Sequence, residues 1–203
     1  MEIITKNEHK ILNLFRKGIF LETSIRDIMK KIKSKSYQRV YEAVESLNKK
    51  NILNSKKIGH TNFISLNMSR EAFAILAFLG EQEGNKIPNY SKIMEIKEIS
   101  DYAILATGSY AKGNSTKKSD LDLVIIIPDK ENVVNIQKLI ENMMMLFVPD
   151  IHLYVFTKKD FVEMLKDKKE NYGKEIVKNN ILLKNGQIYF ELLKEAIENG
   201  YKG

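Results

Sequence analysis

TGSYAKGNSTKKSDLDLVIII, residues 107–127, is the stretch on which the reading of this chain turns. The apolar run Tyr102 to Ala106 just before it reads as one strand, and Leu121 to Ile127 reads as a second. Gly108 and Ser109 therefore fall at the end of the first strand, and Asp120 and Asp122 open the second. Side chains alternate across a strand, so the two carboxylates project together while Leu121 and Leu123 turn into a core. They stand roughly 6 to 7 Å apart along the chain, a spacing that brackets a pair of divalent ions about 3.5 to 4 Å from each other. Glycine lets the backbone approach closely, so the main-chain N–H groups after Gly108 and the Ser109 hydroxyl suit phosphate oxygens. Alone, an Asp-x-Asp is a solvated strand end and a Gly-Ser is a turn. Their combination, spaced by a lysine-bearing connection, points to phosphoryl chemistry.

These residues also carry a family resemblance. Gly108-Ser109-Tyr110-Ala111-Lys112-Gly113, followed by Ser119-Asp120-Leu121-Asp122-Leu123, resembles the signature of the polymerase-beta-type nucleotidyltransferase superfamily. Within it, the pattern is most similar to the small minimal (MNT-like) nucleotidyltransferases, over Tyr102 to Phe190. The resemblance implies an enzyme that moves a nucleoside monophosphate from a nucleoside triphosphate, ATP foremost, to an acceptor hydroxyl. It extends to an antitoxin-like role in which that hydroxyl belongs to a partner protein. It implies nucleotide contacts from Gly108, Ser109, Lys112 and Ser119. Lys112 stands where the family has arginine, which keeps the charge and loses the planar fork.

The resemblance further implies a third carboxylate on a neighbouring strand, which with Asp120 and Asp122 would be both catalytic and metal-binding. Asp150, in VPDIHLYVF, is the preferred candidate because a β-rich run follows it; Asp160 is the alternative, although it reads as the polar opening of a helix. Oxygen-only ligands favour Mg²⁺ or Mn²⁺ over zinc. His152 and Tyr154 share the face of Asp150 on a regular strand.

The first third of the chain differs in character. Residues 1–68 hold 14 Lys and Arg against 6 Asp and Glu, whereas residues 69–203 hold 19 against 20, so the whole net charge of +7 lies at the start. A basic segment in an otherwise neutral chain points to a polyanion, most simply duplex DNA. Thr5-x-x-Glu8 predicts a capped helix with Ile11, Leu12, Leu14 and Phe15 inward and Gly18 at its end. Ser24 and Asp27 open a second helix. Ser36 caps a third, striped by Val40, Ala43, Val44 and Leu47. Residues 51–58 and 61–66, joined by Gly59-His60, read as a hairpin.

This order resembles a winged helix-turn-helix. The resemblance implies a third helix in the major groove, with Lys35, Ser36, Tyr37, Gln38 and Arg39 at its start, and Lys56 and Lys57 on the wing. Such modules commonly pair as two-fold dimers. The apolar helix at 72–79 suggests a homodimer built on Phe73, Leu76 and Phe78.

The expected architecture is α+β. A winged helix-turn-helix occupies 1–68 and a helical linker 69–99. A nucleotidyltransferase-fold domain, with a mixed β-sheet flanked by helices, occupies 100–203. Without cysteine there is no disulfide or thiolate metal site, and His9, His60 and His152 are too scattered for a zinc cluster. No apolar run approaches the roughly 18 residues of a membrane span, and the start lacks a signal-peptide pattern. The chain is therefore expected to be cytoplasmic, with no membrane partner. A second functional class fits the same sequence: a DNA-binding transcription regulator whose nucleotidyltransferase fold only senses nucleotide.

Overall fold

Helix α1 (Lys6–Lys17) begins as its sequence predicts. The Glu8 amide donates to the Thr5 hydroxyl at 3.3 Å, and the Glu8 carboxylate accepts from the Thr5 amide at 2.6 Å. The computed structural model describes residues 4–203. Contacts divide the chain within its fourth helix, into Met1–Leu76 and Ala77–Gly203.

In the first unit α1 is followed by β1 (Glu22–Ser24), α2 (Ile25–Lys31), α3 (Tyr37–Lys49), β2 (Leu53–Ile58) and β3 (Thr61–Leu66). The strands form an antiparallel sheet of order β1-β3-β2. Strand β1 has no counterpart in the sequence reading, because three residues before a helix cap are too few to show a period. Ile11, Leu12, Phe15, Ile28, Val40, Val44, Leu47 and Ile64 are buried, so the predicted helical stripes do form a core; Leu14 is only half-buried. Beyond Leu53, strand β2 is exposed on both faces.

Helix α4 (Arg70–Gly84) is longer than the apolar run that announced it, and starts where the Ala72 amide donates to the Ser69 hydroxyl. Phe73 and Leu76 are buried and Phe78 is 59% exposed, so a dimer contact cannot rest on the first two. The expected linker does not run as a separate segment. Ile87, Ile93 on α5 (Tyr90–Glu95) and Ile99 in the 3-10 turn Lys97–Ile99 belong to the same apolar core as the strands that follow.

Those strands are β4 (Ala103–Ala106), β5 (Leu121–Ile127), β6 (Ile151–Thr157) and β7 (Ile181–Lys184), in the order β6-β5-β4-β7. Strands β5 and β6 run parallel, joined through α7 (Val133–Met144), while β4 lies antiparallel to β5 and β7, giving a mixed sheet. Five successive buried residues, Leu123 to Ile127, mark β5 as an interior strand covered on both faces.

Two helices separated by residues 167–171 follow β6: α8 (Lys158–Lys166) and α9 (Tyr172–Lys178). Asn171 causes the break: its side chain accepts from the Lys174 amide, capping α9, and donates to the Met164 carbonyl. Helix α10 (Gly186–Glu198) closes the unit. Among the described residues no helix is long and apolar enough to cross a membrane.

Candidate active site

Strand β4 is followed by Thr107, which is buried and whose amide donates to the Asp122 carbonyl at 2.9 Å. This bond ties the end of one strand to the carboxylate-bearing start of the next. Gly108 follows with φ of +62°, and a Cβ placed there would overlap the Asp122 carboxylate. Two independent constraints, a left-handed backbone and a side chain pressed against it, thus require glycine at this position. The chain then makes one short helical piece, α6 (Gly108–Lys112), stopped by Gly113 at φ of +71°. The sequence reading had only a turn here.

Asp120 and Asp122 project at the open end of β5, their side chains 45% and 24% exposed. Among the described residues neither carboxylate pairs with lysine or arginine. The side chain that faces them is the imidazole of His152. Its Nε2 lies 3.7 Å from Asp120 Oδ2 and its Nδ1 lies 3.7 Å from Asp122 Oδ1. The parallel register explains this: Leu121 pairs with Ile151 and Asp122 with His152.

Asp150 lies one residue before β6, where its carbonyl accepts from the Leu121 amide at 2.8 Å. It borders a depression of about 160 Å³ with Glu141, Met144, Met145, Ile151 and Leu153. Among the described residues it does not join Asp120 and Asp122 in a group able to hold a metal ion; the residue paired with Asp122 on β6 is His152. Asp160 is used locally, in a capping box with Thr157 at the start of α8. Among the described residues no group of three His, Asp or Glu side chains is placed to hold a metal ion.

The remaining nucleotide-binding candidates surround the same strand ends. Ser109 is half-buried in α6. The Ser119 hydroxyl accepts from the Thr116 amide at 2.9 Å and so closes the exposed loop before β5. Lys112 pairs with Glu175 on α9 at 2.7 Å. Both partners are over 40% exposed, and such a pair is worth about 0–1 kcal/mol. A polyanionic ligand can therefore displace Glu175 at little cost.

Helix α9 makes a second contact that sequence reasoning missed. The Tyr172 hydroxyl lies 2.8 Å from Thr107 Oγ1, and its ring packs on Tyr154 at 4.6 Å and Phe156 at 6.2 Å. Burial pushes this hydroxyl up to about 12, against the lowering effect of its bond to Thr107. It is therefore a neutral hydrogen-bonding group at ordinary pH. The signal in the sequence was the period-2 pair Tyr154 and Phe156, which asks for an aromatic neighbour but does not say from where.

The donor set fits a divalent cation in chemistry, with two carboxylates that no lysine or arginine neutralises and a backbone cradle at Gly108 that a side chain would fill. Comparison with known proteins agrees on the class. Residues 89–182 match the family model described as "Nucleotidyltransferase domain", a span that takes in Gly108, Ser109, Lys112, Asp120, Asp122, Asp150 and His152. This match supports transfer of a nucleoside monophosphate as the kind of chemistry for the second unit. Neither the curated proteins nor the solved structures gave a match.

The residues offered for DNA lie in the first unit. Lys35, Tyr37, Gln38 and Arg39 are exposed, as are Lys56 and Lys57 on β2. Ser36 is the cap of α3, accepting from the Arg39 amide at 3.3 Å. Gln38 donates to Glu42. Tyr37 and Tyr41 stack with centroids 6.5 Å apart.

Proposed function

We propose that this protein is a metal-dependent nucleotidyltransferase that moves a nucleoside monophosphate from a nucleoside triphosphate, ATP foremost, to an acceptor hydroxyl. The observation that carries the reading is the Gly108–Asp122 contact: a glycine forced by its own backbone and by a carboxylate, within a segment matching a nucleotidyltransferase family model.

In this reading the acceptor oxygen bonds to the α-phosphorus, the bond from that phosphorus to the β-phosphate oxygen breaks, and pyrophosphate leaves with the electron pair. Ser109 and the backbone after Gly108 hold the departing phosphates, and Lys112, released from Glu175, adds a point charge. Asp120 and Asp122 would hold the divalent ion, Mg²⁺ or Mn²⁺, which would supply charge stabilisation at the phosphates and acidify the acceptor hydroxyl, whose proton passes to solvent water. The first unit serves as a DNA-binding module of winged-helix type. Three helices followed by an exposed hairpin, and an excess of basic residues on both, support that reading.

The test is incubation of the full chain with each α-labelled nucleotide and Mg²⁺ or Mn²⁺, with and without cell extract. Label should move into an acceptor, with pyrophosphate released. Asp120→Asn and Asp122→Asn should each lower the rate at least about 100-fold, the scale on which removal of one transition-state contact acts, with unchanged circular dichroism. Nucleotide binding without pyrophosphate release would favour the regulator that only senses nucleotide.

A further inference from the structure

We infer that Glu175 is a built-in stand-in for substrate phosphate: it holds the Lys112 ammonium before nucleotide arrives, yields it to a nucleoside triphosphate, and reclaims it as pyrophosphate departs. The inference rests on the nucleotidyl-transfer reading and deepens it, naming the residue that tunes that site's hold on phosphate.

Placement comes first. Residues three apart on a helix lie on one face, so Tyr172 and Glu175 project together from α9. Tyr172 reaches Thr107, the residue before Gly108, at 2.8 Å. Glu175 reaches Lys112, the last residue of α6, at 2.7 Å. One face of α9 thus brackets the turn at both ends and sets a carboxylate beside the backbone offered to phosphate.

The two contacts differ in firmness. Thr107 is 1% exposed, and the Tyr172 ring packs on Tyr154 and Phe156, so that end anchors α9. Lys112 and Glu175 are both over 40% exposed, and a pair of this kind shifts an equilibrium by no more than about fivefold. Exchange of the lysine from carboxylate to phosphate therefore needs rotation of two side chains and no movement of the helix.

Charge sets the direction. Glu175 offers one negative charge and a triphosphate tail or pyrophosphate offers several, so the polyanion takes the lysine. The displaced carboxylate then stands unpaired near a ligand of its own sign, which loosens the hold on any phosphate that reaches Lys112. In the proposed mechanism Lys112 serves the departing phosphates. A nucleoside monophosphate lacks them and does not compete with Glu175. The carboxylate accordingly weakens binding of triphosphate and pyrophosphate selectively, and shortens the life of the product complex.

The experiment is calorimetric titration of the full chain at one fixed Mg²⁺ concentration. The probes are pyrophosphate, adenosine monophosphate, and an ATP analogue with carbon in place of the oxygen between its α- and β-phosphorus. Glu175→Gln and Glu175→Ala should each bind pyrophosphate and the analogue about two- to fivefold more tightly than the parent, the range an exposed pair supports, and bind the monophosphate equally. Glu170→Gln is the control, since Glu170 pairs with Lys178 at 2.9 Å and with no residue of the turn; it should change none of the three. In a Lys112→Met background the gain from Glu175→Gln should vanish, because the two side chains act through each other. Unchanged affinity for pyrophosphate and analogue, an equal gain for the monophosphate or in Glu170→Gln, or a gain that persists without Lys112 would overturn the inference and leave nucleotidyl transfer standing. Failure of both the parent and Glu175→Gln to bind the analogue or pyrophosphate at all would overturn both.

Discussion

Gly108 and Gly113 offer an internal comparison between two glycines with the same backbone requirement and different surroundings. Both have positive φ, but a Cβ at Gly113 meets nothing within 4 Å, whereas one at Gly108 overlaps Asp122. Alanine at either position carries the left-handed penalty of roughly 1–2 kcal/mol. At 108 it must also move the carboxylate. We therefore expect Gly113→Ala to lower stability by about that amount in denaturant titration and to retain most nucleotidyl transfer. Gly108→Ala should lose more stability and nearly all transfer. Equal behaviour of the two variants would mean that the glycine is there for its turn alone.

At the scale of elements, Glu8 shows how a cap becomes a tertiary tie. It is 1% exposed, closes the capping box of α1, and accepts from Lys50 beyond the end of α3 at 2.6 Å. Burial raises its carboxyl, but the bonds from Lys50 and Thr5 outweigh that and hold it below the ordinary 4.5. A carboxyl lowered on folding adds stability that is fully present above its unfolded value and lost as pH falls through its folded one. Thermal unfolding of the parent should therefore drop more steeply below about pH 4.5 than that of Glu8→Gln. Parallel curves would show that the pair contributes nothing.

The same scale explains what the sequence revealed. The cap at Thr5, the stripes on α1 and α3, and the alternation at Asp120 and Asp122 are local, and local signals were legible. What was missed depended on pairing across the chain. No period within Ile151–Thr157 states that His152 lies opposite Asp122, since that follows from the β5–β6 register. Nor does anything near Thr107 announce a hydroxyl from Tyr172, 65 residues away. Strand β1 and helix α6, of 3 and 5 residues, escaped because each spans fewer than two periods of its own pattern.

For the whole molecule, the segregation of charge is the property to test. We expect the full chain to bind duplex DNA with an affinity that falls steeply with salt, since its basic residues displace condensed counterions. Arg39→Ala, at the start of α3, should reduce discrimination between sequences, while Lys57→Ala on β2 should weaken all of them alike and flatten the salt dependence by about one counterion. Salt-independent binding, or no binding at low ionic strength, would remove DNA as the partner. If the chain pairs with a second copy, Phe78 is the member of its apolar trio at the surface, and Phe78→Asp should then shift the mass seen by light scattering.

The register of β5 on β6 also bears on how the gene can change length. Residues 113–118 are exposed throughout, so codons gained there lengthen a loop at a cost that grows only logarithmically. A single codon lost between Met144 and Ile151 is different. If β6 keeps its packing, it slides by one and presents Ile151 or Leu153 to Asp122; if it keeps its facing, its apolar side leaves the core. Insertions in descendants of this gene should accumulate in the first stretch and be purged from the second.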